Sequence, residues 1–512
     1  MKVKLISIVF AVCFFPGMMK SIFAQSGKII LPKEVVVDKI RGGLLGQILG
    51  NLNGLSHEMA HIAEPGNVMN YVPALPDGAR TDDDTDFEWL YIYEMQKNRE
   101  LLLDADYIRN IWIERINKGV WCSNRFTRYL MDFGFKPPYT GYTEFNPWAD
   151  FNISGQFLCE TFGLLAPAMP QTAAKTGLNY TTVAIGGEPA QTTQLFTTMI
   201  SMAFIESDIN KILDAGIASL DSKSKIVLII NDIKKWYAEN PADWRKTRSL
   251  LKEKYTAENG RLRDRNGYEL NTGSIIAALL YGGGDFAETL KLAFNFGWDA
   301  DCNAATVGTI MGVKEGYRKM MTTNRKLEPS WLIVDRYKNT TRDNMPMDET
   351  ITSFADRLVE LFELVNENNG GSQKLKDKVL VYEITTEKPA PVMLLAGADN
   401  KNILRERSGK QITDDLSSRE RAVRAKAAFM AVCLEMDEQL SKTHAKSWKT
   451  ACYDLSGYWK VINNIFEGGD AQVLYNFSAK FAKAGFKPLR KKYSDQDIYN
   501  DKEFWKAPET LY

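Results

Sequence analysis

The chain has 512 residues, with 64 Lys+Arg against 64 Asp+Glu, 45% hydrophobic and 25% charged residues. This ordinary globular composition excludes collagen-like, disordered and coiled-coil architectures. The balanced charge leaves no electrostatic footprint for nucleic acid, and no internal run reaches the ~20 apolar residues of a membrane span.

The opening segment reads as an export signal. Lys2 and Lys4 flank an apolar stretch from Leu5 to Phe15, and Ile22-Phe23-Ala24 offers a small residue for cleavage before Gln25. Residues 1–24 are therefore expected to be removed and the mature protein to be periplasmic or extracellular. Cleavage removes three lysines and no acids, leaving 61 basic against 64 acidic residues, a net charge of −3. Cys122, Cys159, Cys302, Cys433 and Cys452 remain, widely spaced and without a CxxC, so no disulfide framework is expected.

From Glu34 to about Asn368 nearly every segment has helical periodicity. The spacing predicts helices over Val35–Leu52, Phe87–Leu103, Tyr107–Ile116, Gln191–Ile205, Ile209–Leu220 and Ile226–Tyr237. It predicts more over Trp244–Tyr255, Ser274–Tyr281, Phe286–Phe296, Ala304–Tyr317 and Ile351–Val365. The fold class is mostly α: one large helical domain over 30–368. The polar, glycine-bearing stretch from Asn366 to Ser372 reads as a linker or a long helix cap. Residues 373–512 read as a small α+β appendage, with strands at Lys378–Thr385 and Pro391–Leu395 and a helix at Ser417–Leu440.

Two acidic runs carry most of the chemistry. Arg80-Thr-Asp-Asp-Asp-Thr-Asp86 and Gly297-Trp-Asp-Ala-Asp-Cys-Asn303 each open a helix. One Asp at a helix start is explained by capping. Several together repel unless a cation neutralises them, and oxygen-rich clusters suit hard divalent ions. His57-Glu-Met-Ala-His61 matches the zincin pattern, with Glu88 or Glu94 as a third ligand. Glu64-Pro65-Gly66 stops that helix early, however, and the bland reading is a functional Glu58 between two incidental histidines. Tyr281-Gly-Gly-Gly-Asp285 lacks the Lys-Ser/Thr of a phosphate loop and reads as a turn. Trp148, Trp298, Tyr142 and Phe145 are assigned to the core, and Asn339-Thr-Thr is a bare sequon.

Three segments together resemble the ADP-ribosylglycohydrolase family. They are Arg41-Gly-Gly-Leu-Leu-Gly-Gln-Ile-Leu-Gly-Asn-Leu-Asn-Gly-Leu-Ser-His-Glu58, the stretch Asp83-Asp84-Thr85, and Gly297 to Gly316. The last is similar to the family's G-x-D-x-D-T-x-A-A-x-x-G-x-x-x-G, and the resemblance covers roughly residues 35–365. In this register Phe87 takes an apolar family position; a shift by one would place charged Asp86 there.

The resemblance implies an all-α bundle holding two Mg²⁺ ions, with Mn²⁺ as the alternative. It assigns Asp82, Asp83 and Asp84 as metal ligands from one helix start and Asp299 and Asp301 from the other. Glu58 becomes the catalytic carboxylate. This chain departs from the family pattern at Asn51 (usually Asp), Asp82 (usually Thr) and Cys302 (usually a ligating Thr). The middle segment Phe151–Pro167 lacks the family's Arg. The expected function is an exported, metal-dependent hydrolase of ADP-ribosyl or related ribose-like glycosidic bonds. The competing readings are a periplasmic glycosidase of pentofuranosides or nucleosides, a non-catalytic glycan-binding module, and a zinc peptidase through His57 and His61. The expected partner is a small-molecule or glycoside substrate, with no nucleic acid.

Overall fold

The computed structural model describes residues 27–465 apart from 152, 259–260, 263–266, 325–331 and 396–400, together with 477, 480–481 and 483–484. The signal-like segment and most of the tail lie outside the described residues. The protein is mostly α. Its helices run in chain order as α1 Lys33–Gly54, α2 Asp83–Asn98, α3 Ala105–Arg115, α4 Cys122–Asp132, α5 Ser154–Phe157, α6 Glu160–Leu164 and α7 Pro170–Thr181. They continue as α8 Gly187–Ala203, α9 Ile209–Ala218, α10 Lys225–Glu239, α11 Trp244–Tyr255, α12 Tyr268–Tyr281, α13 Phe286–Phe296 and α14 Ala300–Glu315, with a further long helix at Ile351–Asn368.

The seam between α1 and α14 is the centre of the molecule. Both helices are buried almost all round, Gly42 to Asn51 on one and Ala300 to Val313 on the other. The reason is a row of glycines. A Cβ on Gly42, Gly46 or Gly50 would collide with the backbone of Gly312, Gly308 or Ala304, so the two backbones touch directly. One turn further, a Cβ on Gly54 would lie 2.5 Å from the Asp301 Cα. Close approach of this kind maximises dispersion contacts that a pair of larger residues would prevent. It also brings the C-terminal end of α1 onto the N-terminal end of α14, where the acidic residues are.

Small sheets pin the bundle. β1 (Lys28–Pro32) pairs antiparallel with β3 (Val379–Thr385), Ile30 opposite Glu383, and β3 pairs with β2 (Ser372–Lys376). The chain entering α1 and the chain leaving Ile351–Asn368 thus share one sheet. A second sheet joins Ala79–Arg80 to Tyr337–Lys338 and Asp348–Glu349. It fixes the start of α2, since Thr81 N donates to Lys338 O at 2.8 Å.

Several predicted elements differ. The expected strand Pro391–Leu395 is an irregular strap. Val392 N and Met393 N donate to Gln194 Oε1, and Leu395 N donates to Asp221 Oδ2, so side chains rather than a strand partner satisfy its backbone. The expected helix Ser417–Leu440 is two helices, Arg421–Cys433 and Asp437–Thr443, broken at Glu435 with φ +55°. A helix at Lys401–Asp415 precedes them. These C-terminal helices form a second core with Phe126, Leu130, Phe133, Phe135, Phe145, Trp148 and Phe151 of the larger domain. Cys159, Cys302, Cys433 and Cys452 are free thiols. Among the described residues no helix is long and apolar enough to cross a membrane.

Candidate active site

The site is built where three segment ends meet: the turn after α1, the start of α2 and the start of α14. Asp82 and Asp299 are the residues preceding α2 and α14, yet neither side chain caps its helix. By contrast Asp104, Asp208, Asp243 and Asp285 each accept a backbone N–H in the usual way. Capping therefore explains the aspartates elsewhere and not those in the two acidic runs.

The structure brings the two runs together. Ligand oxygens of Glu58, Asp299 and Asp301 lie within 4.8 Å of one another. So do those of Asp84 and Asp301 with the Cys302 sulfur. Asp301 belongs to both groups. Asp82 and Asp83 stand alongside without completing a three-ligand group. Asn51 bridges the α2 carboxylates: its Nδ2 donates to Asp84 Oδ2 at 2.5 Å and to Asp82 Oδ2 at 3.4 Å. Cys302 Sγ donates to Asp84 Oδ1 at 2.8 Å. Asp301 Oδ1 and Asn51 Oδ1 are buried and accept no hydrogen bond from the described residues.

The electrostatics are those of a site built for a cation. Burial first, and then neighbouring carboxylates, hold Asp83, Asp84 and Asp301 well above the usual carboxylate range. The same causes, burial ahead of Glu58, push Asp299 up to about 7. Glu58 is pushed up to about 9, chiefly by the Asp301 charge and then by burial. Its residue surface is open to solvent even so. It stands at the mouth of the site, and repulsion rather than dryness dominates. Buried carboxylates this close keep protons unless a positive charge replaces them. The orphaned Asp301 oxygen, the all-acidic surroundings and the uncapped Asp82 and Asp299 all fit a divalent ion.

A second layer lies one helical turn behind. Gln47 sits four residues before Asn51, Glu88 four after Asp84, and Thr306 four after Cys302. Gln47 Nε2 donates to Glu88 Oε2 at 2.7 Å, Thr161 N donates to Glu88 Oε1 at 3.2 Å, and Thr306 Oγ1 donates to Glu160 Oε1 at 2.5 Å. Burial raises both Glu88 and Glu160, the latter to about 7, and the two acids interact directly. This layer locks α1, α2, α6 and α14 in register beneath the site. Sequence reasoning considered Glu88 only as a zinc ligand; the i±4 spacing from the acidic run was the available signal. Glu94, the other zinc-ligand candidate, is buried against Arg115 at 2.9 Å.

The turn carrying Glu58 is held by Arg248. Its Nε donates to Phe296 O at 2.9 Å, and its terminal nitrogen donates to His61 O at 2.8 Å and Ile62 O at 3.0 Å. Its guanidinium also lies 4.3 Å over the Trp298 ring. Met59 N donates to Trp298 O at 2.8 Å. Gly297 has φ +82°, and a Cβ there would strike the His61 carbonyl, so glycine is required. Arg248 carried no motif and was missed.

The HExxH expectation is corrected here. α1 ends at Gly54, and residues 55–64 are turns and bends rather than helix. Two imidazoles need a continuous helical face to share a zinc ion at this spacing. Instead His57 stacks on Phe294 at 5.1 Å and on His61 at 5.9 Å. Asp86 is fully buried even in the chosen register, because Arg342 pairs with it at 2.6 Å and Thr341 donates to it. The Asn339 amide is 5% exposed and donates to Arg342 O, which leaves no free sequon acceptor.

A mostly helical bundle whose carboxylates converge from two helix starts and the turn after α1 offers a place for a divalent ion. The family model for ADP-ribosylglycohydrolase matches residues 32–368, and the chain belongs to that family. It is accordingly a glycosyl hydrolase by family. The family is metal-dependent. No curated protein matches the chain.

Proposed function

We propose that the chain is an exported hydrolase of ADP-ribosyl or closely related ribose-like glycosidic bonds, working with divalent cations of which Mg²⁺ is the first candidate. One observation carries the reading: Glu58, Asp84, Asp299 and Asp301 converge from three segments with a buried Asp301 oxygen left over. Asp84, Asp299 and Asp301, flanked by Asp82 and Asp83, would hold the ions. When bound, divalent cations supply charge neutralisation and Lewis acidity toward sugar hydroxyls.

The chain's own residues do the rest. Glu58 lies at the mouth, where the Asp301 charge and then burial raise its pKa to about 9 in the cation-free protein and favour the protonated form. It is placed to give a proton to the leaving group or to take one from the attacking water. Neighbouring carboxylates favour the positive charge that develops on the sugar ring. Asn51 orients Asp84, and Arg248 holds the Glu58 turn against Trp298.

The leader-like Lys2–Ala24 segment supports a second reading. An exported enzyme meets scavenged pentofuranosides or nucleosides more readily than intracellular ADP-ribosylated protein. A panel of ADP-ribosyl and pentofuranosyl substrates separates the two. Turnover of either class, lost in Glu58→Gln, supports the hydrolase reading; a Glu58→Gln variant with full activity overturns it.

A further inference from the structure

The two ligand groupings share Asp301 but differ in chemistry. Glu58, Asp299 and Asp301 offer oxygen only, whereas Asp84, Asp301 and Cys302 offer two carboxylates and a sulfur. Cys302 is 4% exposed, and its Sγ already touches Asp84 Oδ1 at 2.8 Å. Asn51 holds the other Asp84 oxygen, which fixes Oδ1 toward the sulfur. Beside this trio Asp301 Oδ1 and Asn51 Oδ1 remain buried acceptors without donors.

We propose that Cys302 is a metal ligand in this chain, and that the half-site Asp84–Asp301–Cys302 selects a borderline ion such as Zn²⁺ or Co²⁺ over Mg²⁺. The half-site at Glu58, Asp299 and Asp301 keeps a hard ion. The proposal rests on the reading of the acidic cluster as a divalent-cation site. Thiolate ligation raises affinity for Zn²⁺ and Co²⁺ relative to Mg²⁺, which carboxylate oxygens alone do not do to the same degree. Binding exchanges the S–H···O contact for a sulfur–metal bond, and the thiol proton leaves to solvent. Asp84 stays in place through Asn51.

The test uses the full chain, stripped with chelator and titrated with Co²⁺ alone. A sulfur-to-cobalt charge-transfer band should grow and then vanish on adding Zn²⁺, while a large excess of Mg²⁺ leaves it. Cys302→Thr and the near-isosteric Cys302→Ser should lose the band and weaken Zn²⁺ binding by about tenfold or more, since losing even an outer partner of a ligand costs about 10–100-fold. X-ray absorption of the Zn²⁺-loaded wild type should show sulfur in the first shell, a readout that depends on no variant. Co²⁺ binding without the band, or a band that persists in both variants, overturns the sulfur ligand and leaves the cation site standing. Failure of Mg²⁺, Mn²⁺ and Co²⁺ alike to bind in calorimetry overturns the cation site and this proposal with it.

Discussion

Gly54→Ala tests whether the glycine seam builds the site. The new Cβ would lie 2.5 Å from the Asp301 Cα, 2.9 Å from its Cβ and 3.0 Å from its N. Ordinary contact begins at 3.4 Å, so Asp301 or the end of α1 must move by about 0.9 Å. No rotamer relieves this, because methyl has none and the nearest struck atom is backbone. Overpacking costs roughly 1–3 kcal/mol. A site tolerates displacements of only about 0.5 Å before its geometry degrades. Divalent-cation affinity by calorimetry should therefore fall by about tenfold or more, about 1.4 kcal/mol, with a lower melting temperature. Gly409→Ala is the control. Its Cβ meets only Met436 Cε at 3.5 Å, and it should raise stability by about 0.4–1 kcal/mol through the unfolded chain. Gly54→Ala with wild-type affinity and melting temperature would refute the seam argument.

Glu58→Gln should abolish turnover, while His57→Ala and His61→Ala keep most of it; loss of stoichiometric zinc with activity in either His variant would revive the peptidase reading. Glu160 is raised from 4.5 to about 7, so the native state holds its proton more tightly than the unfolded chain. Its stability contribution is intact below pH 4.5 and is lost as pH rises to about 7. Glu160→Gln should flatten that decline, read from melting temperatures in chelator at pH 5 and 7.5; parallel curves would contradict it. Arg342→Met leaves the buried Asp86 without its cation and should cost about 3–5 kcal/mol, with Asp86→Leu in the same chain restoring part; a neutral single variant would refute the buried-charge penalty.

Legibility in the sequence followed local signals. α13 is predicted at Phe286–Phe296 because an apolar stripe runs its length, and the structure adds Asp285 as its cap. The stretch from Cys122 to Thr181 holds α4 to α7, and none of them is predicted. Of these, α5 and α6 are only 4 and 5 residues long and buried on every side, so no stripe marks them. The break at Glu435 has neither Gly nor Pro to announce it. The acidic runs stand out because one aspartate suffices to cap a helix. What the spacing could not reveal is long-range pairing: Arg342 with Asp86, Arg248 with the His61 carbonyl, and Cys302 with Asp84. Each joins residues more than 180 apart in sequence.

Cation-dependent glycosidic hydrolysis is proposed to turn on Asp301, and the decisive assay is hydrolysis of the substrate panel by chelator-stripped wild type, wild type with divalent ion restored, and Asp301→Asn. Activity should appear only in the restored wild type, since among the described residues Asp301 alone belongs to both ligand groups. Full hydrolysis by the stripped protein, or by Asp301→Asn, would contradict it.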